Sequence, residues 1–249
     1  MKTTKLLLTV AFLFALFTCQ AQRLSLGGKL AFNNTAVYNK NIFDQVDYVK
    51  SHANSFGVQL NLMFTKKYGI TTDILLANQN QKYTWVDVSN TFNGESKFTY
   101  LDVPVLIKRK NKIGLYFEAG PMFSFLMSAN ESVFNSDGSF NYSEKDFKND
   151  FNQFGVSAVS GLGLDIKLSK WLMINLEGRI GYMFTDVTTD YSGITKEELL
   201  LKFLKEEISL NTYYSNIDEN GELNYAKSTR IFTGVNVGLH WVIVPMGLK

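Results

Sequence analysis

The sequence predicts an all-β fold: one eight-stranded antiparallel up-and-down transmembrane β-barrel with long outside loops, one of them carrying a short helix. Three observations predict it. Apolar and polar residues alternate with period two in repeated stretches of about ten residues, the length a tilted strand needs to cross a bilayer. The connections between these stretches alternate between short and long. The chain also opens with an export signal, while no later segment approaches the roughly 18 uninterrupted apolar residues of a transmembrane helix.

Taken in order, the first strand sets Leu24, Leu26, Gly28, Leu30 and Phe32 against Arg23, Ser25, Lys29 and Asn33. The second alternates most cleanly, with Phe56, Val58, Leu60, Leu62 and Phe64 on one face. The third turns Ile70, Thr72, Ile74 and Leu76 outward and Thr71 and Asp73 inward. In the fourth, about residues 98 to 108, Leu101, Val103, Val105 and Ile107 oppose Tyr100, Asp102, Pro104 and Lys108. Proline cannot donate to the ladder, so Pro104 implies a bulge or a locally unpaired position. The fifth strand, about 113 to 126, turns Tyr116, Glu118 and Ser124 inward; the sixth, about 154 to 168, does so with Gly161, Gly163, Asp165 and Lys167. The seventh places Asn175, Glu177, Arg179 and Gly181 inside, and the eighth Arg230, Gly234, Asn236, Gly238 and His240.

Tight turns are predicted at Thr65 to Tyr68, Arg109 to Lys112 and Ser169-Lys170, and long polar connections at 34–54, 79–97, 127–152 and 185–227. Membrane barrels have short turns on the periplasmic side and longer loops outside, and an even strand count returns both ends of the chain to the periplasm. Aromatics such as Phe32, Phe56, Tyr68, Trp171 and Trp241 fall near the ends of the outward rows, where interfacial girdles belong. The last loop holds a capping box, Thr195-Lys196-Glu197-Glu198, opening a helix to about Ser209. Its apolar face, Leu200, Leu201, Phe203, Leu204 and Ile208, either packs on neighbouring loops or meets a partner or the membrane surface.

Composition agrees: of 249 residues 14% are aromatic, with 18 glycines and only 3 prolines. A mean hydropathy of -0.06 reflects alternation, not solubility. Residues 1–21 read as a signal peptide, with Lys2 and Lys5 ahead of an apolar run from Leu6 to Phe17 and cleavage before Gln22; residues 22–249 form the barrel domain. A rival reading makes Leu16-Phe17-Thr18-Cys19 a lipobox with Cys19 lipidated. Removing Lys2 and Lys5 takes the 25 basic residues to 23, against 23 acidic, so no basic balance argues for nucleic acid.

The inward rows carry Lys29, Asp73, Asp102, Glu118, Asp165, Glu177, Arg179 and Arg230. An eight-stranded barrel is only wide enough for its side chains to fill it, and unpaired buried charge is costly, so these residues are expected to pair as a polar plug. Glu118 and Glu177 also admit an acid/base reading, but with Arg179 and Arg230 on the same inner surface the ion network is adopted. His52 and His240 fall at opposite ends of the barrel. No enzyme activity, metal or cofactor is expected.

The words Tyr100-Leu101-Asp102-Val103-Pro104-Val105-Leu106-Ile107-Lys108, Gly114-Leu115-Tyr116-Phe117-Glu118-Ala119-Gly120-Pro121, Phe154-Gly155 with Gly161-Leu162-Gly163, and Leu176-Glu177-Gly178-Arg179 occur in that order along the chain. In them the chain resembles the PorT-like outer-membrane β-barrel family of Gram-negative bacteria. The resemblance implies an eight-stranded barrel in the outer membrane, lipid around the wall and insertion by the barrel-assembly machinery through a signal in Thr233-Gly234, Val237 and Leu239, and it allows an accessory role in protein secretion. It implies no activity. The leading expectation is therefore a non-enzymatic barrel acting in binding, envelope structure or secretion, its long loops contacting a surface or secretion-complex protein. Two alternatives stand beside it: a small lipid-modifying outer-membrane enzyme depending on His52, and a soluble lipocalin-like barrel whose apolar rows turn inward around a small hydrophobic ligand.

Overall fold

The computed structural model describes residues 23–39, 41, 47–87, 90–134, 140–218 and 220–244. The predicted signal peptide, the lipobox and Cys19 lie outside them. Eight long strands close a ring: β1 (Arg23–Tyr38), β2 (Asp47–Met63), β3 (Tyr68–Asp87), β4 (Asn90–Lys110), β5 (Leu115–Phe134), β7 (Phe154–Lys167), β8 (Leu172–Met183) and β9 (Thr229–Val244). All pairings are antiparallel, and β1 pairs with β9 from Leu24↔Val244 to Tyr38↔Thr229, which closes the barrel. A short β6 (Phe140–Asp146) folds back on β5 outside the ring.

Period two fixes which way each side chain points. The apolar rows face out: Ile107 is 68% and Trp241 65% exposed, while Lys29, Asp73 and Lys108 are buried within. A belt this large and apolar is stable only against lipid. A lipocalin-like barrel needs the opposite polarity, so that alternative is overturned. Tyr68, Trp171 and Trp241 sit beside the short turns, and Phe32, Phe56, Phe125 and Phe154 toward the other end.

The short turns build themselves from local side chains. Thr65 Oγ1 accepts from the amides of Lys67 (3.1 Å) and Tyr68 (2.9 Å), and Ser169 Oγ accepts from Trp171 (3.1 Å) and Leu172 (3.0 Å). In the turn between β4 and β5, Asn111 Oδ1 accepts from Ile113 N, and Gly114 takes the left-handed φ of 101° that favours glycine.

At the opposite end three predicted connections are largely strand. Within 79–97, β3 runs to Asp87 and β4 begins at Asn90, the two paired from Gln79↔Phe98 to Asp87↔Asn90. Residues 127–152 hold the rest of β5 and all of β6, and β1 and β2 reach into 34–54. Beyond the membrane the ladder needs no apolar row: Thr99 and Asn78 bond across it at 3.1 Å, as do Thr84 and Asn93 at 3.0 Å. At Pro104 the β3–β4 pairing steps from Thr72↔Val105 to Leu75↔Asp102 without changing register, the expected local gap. Thr72 Oγ1 donates to the Pro104 carbonyl at 3.0 Å.

Candidate functional site

The lumen is filled in tiers. In the central one, β1 supplies Lys29, β3 Asp73, β5 Glu118, and β8 Glu177 and Arg179. Lys29 Nζ lies 3.0 Å from Asp73 and 2.8 Å from Glu177. Arg179 spreads its guanidinium over three carboxylates: Asp73 at 2.9 Å, Glu118 at 2.7 Å and Glu177 at 2.7 Å. Gln59 donates to Asp73 at 2.7 Å. Glycine makes room for this: a Cβ on Gly161 would lie 2.4 Å from Glu177 Oε1, and one on Gly163 2.3 Å from the Tyr116 hydroxyl. All five charged groups are buried, where charge persists only when paired and hydrogen-bonded.

Toward the short turns, Asp165 accepts from Lys108 at 3.2 Å, from Lys110 and from Asn175 at 2.9 Å; Lys108 Nζ sits 3.5 Å above the Tyr116 ring. Toward the hairpins, Arg230 pairs with Asp102 at 3.1 Å and lies 4.4 Å over the Tyr100 ring, while Ser124 donates to Asp102 at 2.6 Å. The eight charged residues singled out from the sequence therefore fall into three tiers. Lys108, Lys110, Tyr116, Gln59 and Tyr100 complete them: alternation places Tyr100, Lys108 and Tyr116 on the inward rows without naming them as members of the network, and Lys110 falls in a predicted turn. Across the tiers Lys29, Lys108, Lys110, Arg179 and Arg230 balance Asp73, Asp102, Glu118, Asp165 and Glu177.

This arrangement favours structure over proton transfer, because Glu118 and Glu177 are both locked on Arg179. His240 is buried in the lumen, whereas His52 is exposed at the hairpin end. The His52 ring bonds at 3.1 Å to the side-chain amide of Asn34. No group of three His, Cys, Asp or Glu able to hold a metal occurs among the described residues.

Above the tiers Phe98, Tyr100, Phe147, Phe151 and Met183 form an apolar layer, with Phe98 and Phe151 edge to face at 4.9 Å. The long loop after β8 covers it. Helix α1 (Lys196–Leu204) begins at the predicted capping box, where Thr195 Oγ1 accepts from Glu198 N at 3.2 Å. It stops earlier than predicted: Glu206 takes a left-handed φ of 56°, with Glu206 N bonding to Phe203 O and Glu207 N to Lys202 O. A second helix, α2 (Leu210–Asn216), follows, capped by Ser209.

Two carboxylates hold the start of α2, Asp150 of the connection between β6 and β7 accepting from Ser209 N at 2.6 Å and Glu131 of β5 from Leu210 N at 3.0 Å. Burial pushes the Asp150 carboxyl up to about 6, despite the Ser209 amide. The predicted apolar face divides. Leu199 and Ile208 pack inward with Ile217, and Phe203 stacks on Tyr213 at 4.4 Å; Leu200, Leu201 and Leu204 point out, Leu204 69% exposed.

The model of the outer membrane protein β-barrel domain family matches residues 20–189. Among solved structures the chain is similar to the outer membrane protein OprG from Pseudomonas aeruginosa, at 12% identity over 90% of this chain and 97% of that one, TM-score 0.40. It is similar also to Ail, the attachment invasion locus protein of Yersinia pestis, solved with the heparin analogue sucrose octasulfate, at 9% identity over 87% and 98%, TM-score 0.39. A third is the outer membrane protease OmpT from Escherichia coli, at 6% identity over 89% and 97%, TM-score 0.38. No curated protein matches the chain.

Proposed function

The chain belongs to the outer membrane protein β-barrel domain family, and from that premise we propose that it is a non-enzymatic, non-conducting barrel that binds a protein partner through its outer end. The observation that carries this is the cap: Leu200, Leu201 and Leu204 stand exposed on a helix whose opposite side is anchored through Leu199 and Phe203. Outward leucines on a fixed helix are what a partner groove or surface recognises. The lumen supports the rest, because oppositely charged side chains in contact fill the width of an eight-stranded wall. The PorT-like resemblance favours a partner in a secretion assembly. Leader cleavage before Gln22 and insertion by the barrel-assembly machinery belong to the same proposal.

The test is a photo-crosslinking residue placed at Leu201 or Leu204 in growing cells. A discrete adduct is expected, abolished by Leu200→Asp with Leu204→Asp while heat-modifiable gel mobility is kept. Absence of any adduct sinks the binding role. Accumulation of secreted proteins in the periplasm of a deletion strain then distinguishes a secretion partner from another surface protein, and silent planar-bilayer recordings check the closed lumen.

A further inference from the structure

The three short turns carry charge of one sign. Residues 64–68, 109–115 and 167–172 contain Lys66, Lys67, Arg109, Lys110, Lys112, Lys167 and Lys170 and no Asp or Glu. In an outer-membrane barrel these turns face the periplasm, so this rim meets the periplasmic leaflet. Lys110 turns inward to Asp165. Among the described residues, Lys67, Arg109 and Lys112 have no carboxylate in ion-pairing range.

These three cations line one groove of about 370 Å3 with Leu115, Phe117 and Leu162. Its geometry is graded. Arg109 continues the outward row of Val105 and Ile107, and its cross-strand neighbours are Tyr68 and Phe117, both about half exposed. Phe117 in turn pairs with Leu162 on β7, and Leu115 lies between the turn and Phe117. The groove thus begins among cations at the rim and descends along the lipid-facing wall over apolar side chains. Arginine suits a phosphodiester through its planar fork, and lysines beside it add point charge.

We propose that this groove is a binding site for one net-anionic phospholipid of the surrounding leaflet, its phosphate held by Lys67, Arg109 and Lys112 and an acyl chain laid over Leu115, Phe117 and Leu162. An acidic protein could meet the rim cations but could not follow the groove down a wall that faces lipid. A free anion would use the cations and ignore the apolar floor. Three uncompensated cations select lipids such as phosphatidylglycerol or cardiolipin over zwitterionic ones.

The test uses the full-length protein in phosphatidylcholine nanodiscs doped with phosphatidylglycerol or cardiolipin, transferred to detergent and weighed by native mass spectrometry. One retained anionic lipid is expected. Lys67→Gln with Arg109→Gln and Lys112→Gln should lower its retention at least about tenfold, in line with the additive pull of basic residues on anionic lipid. Lys167→Gln with Lys170→Gln, which removes rim charge outside the groove, should leave it unchanged. Heat-modifiable mobility confirms folding, and Arg109→Gln alone serves if the triple variant fails to insert. Equal loss in both charge-removal variants would mean a diffuse cationic rim, and release by millimolar inorganic phosphate a simple anion site. Either result, or retention of phosphatidylcholine as strong as that of phosphatidylglycerol, overturns the proposal.

Discussion

The lumen and the cap both bury carboxylates, but they compensate them differently. In the lumen, Asp73 and Glu177 meet Lys29 and Arg179, and the partners come from strands β1, β3 and β8, far apart in sequence. In the cap, Asp150 and Glu131 accept from the backbone amides of Ser209 and Leu210, with Ser96 also donating to Glu131 at 3.2 Å. A wall of paired strands holds charges in place rigidly enough to match ion with ion. A loop laid over the barrel offers peptide dipoles instead, and these offset only part of the burial that raises the Asp150 carboxyl to about 6. Stability should therefore be concentrated in the lumen, and the cap should respond to pH through Asp150.

The sharpest way to break this comparison is Arg179→Ala. It leaves Glu118 without its partner and strips one contact from Asp73 and two from Glu177. Removing one member of a buried ion cluster costs about 3–5 kcal/mol. Urea unfolding in liposomes, followed by loss of heat-modifiable mobility, should show a deficit of that size. A deficit below about 1 kcal/mol would mean that the lumen tolerates the stranded charges and that its pairing is incidental.

The cap should respond to protons. Because burial raises the Asp150 carboxyl from its ordinary 3.8 to about 6, the folded cap holds a proton that the opened one releases. That contribution to cap stability is complete below about pH 4 and is lost as pH rises through about 6. Amide exchange of Leu210–Asn216, corrected for intrinsic rates, should be slower at pH 5 than at pH 7.5. Asp150→Asn should erase most of the difference, since an amide oxygen still accepts from Ser209 N. Identical profiles for both proteins would detach the pH response from Asp150.

A smaller loss is expected from Ser209→Ala. Ser209 Oγ accepts from Thr212 N at 3.1 Å at the start of α2, and loss of such a cap costs about 1 kcal/mol. Faster exchange confined to α2, with unchanged barrel unfolding, would place the cap and the wall in separate cooperative units. A matching change in the wall would join them.

These regions also differed in how far the sequence revealed them. Parity followed from period two in every ring strand, because a one-residue error would turn Lys29 or Asp165 into lipid. Which charges meet was not legible, since that depends on strand stagger around the ring: Asp102 and Arg230 lie on β4 and β9, yet pair across the lumen. The hairpin extensions escaped recognition because alternation carries no apolar contrast where both faces are polar, as along Gln79, Asn80, Gln81 and Lys82, of which Gln79 and Gln81 are buried. Helix α1 was read through to Ser209 because its stop is a glutamate, Glu206, where glycine is the usual signal. The Ser209 cap of α2 was the one local clue to a second helix.

The contrast between buried and exposed pairing can be sharpened with Lys97 and Glu144, 3.0 Å apart on the outer hairpins with side chains 45% and 65% exposed. Their geometry is as good as that of Lys29 with Asp73, also 3.0 Å apart. What differs is water. In the lumen, breaking the pair strands a charge with no solvent to take it, whereas at the hairpins solvent replaces the partner at once. Lys97→Gln should therefore change unfolding by less than about 1 kcal/mol, and that difference should shrink in about 1 M salt. The loss from Arg179→Ala should survive the same salt, because ions cannot screen charges the barrel encloses. If both effects fade together, the lumen is hydrated to the level of the surface and distance alone, not burial, governs the worth of its ion pairs.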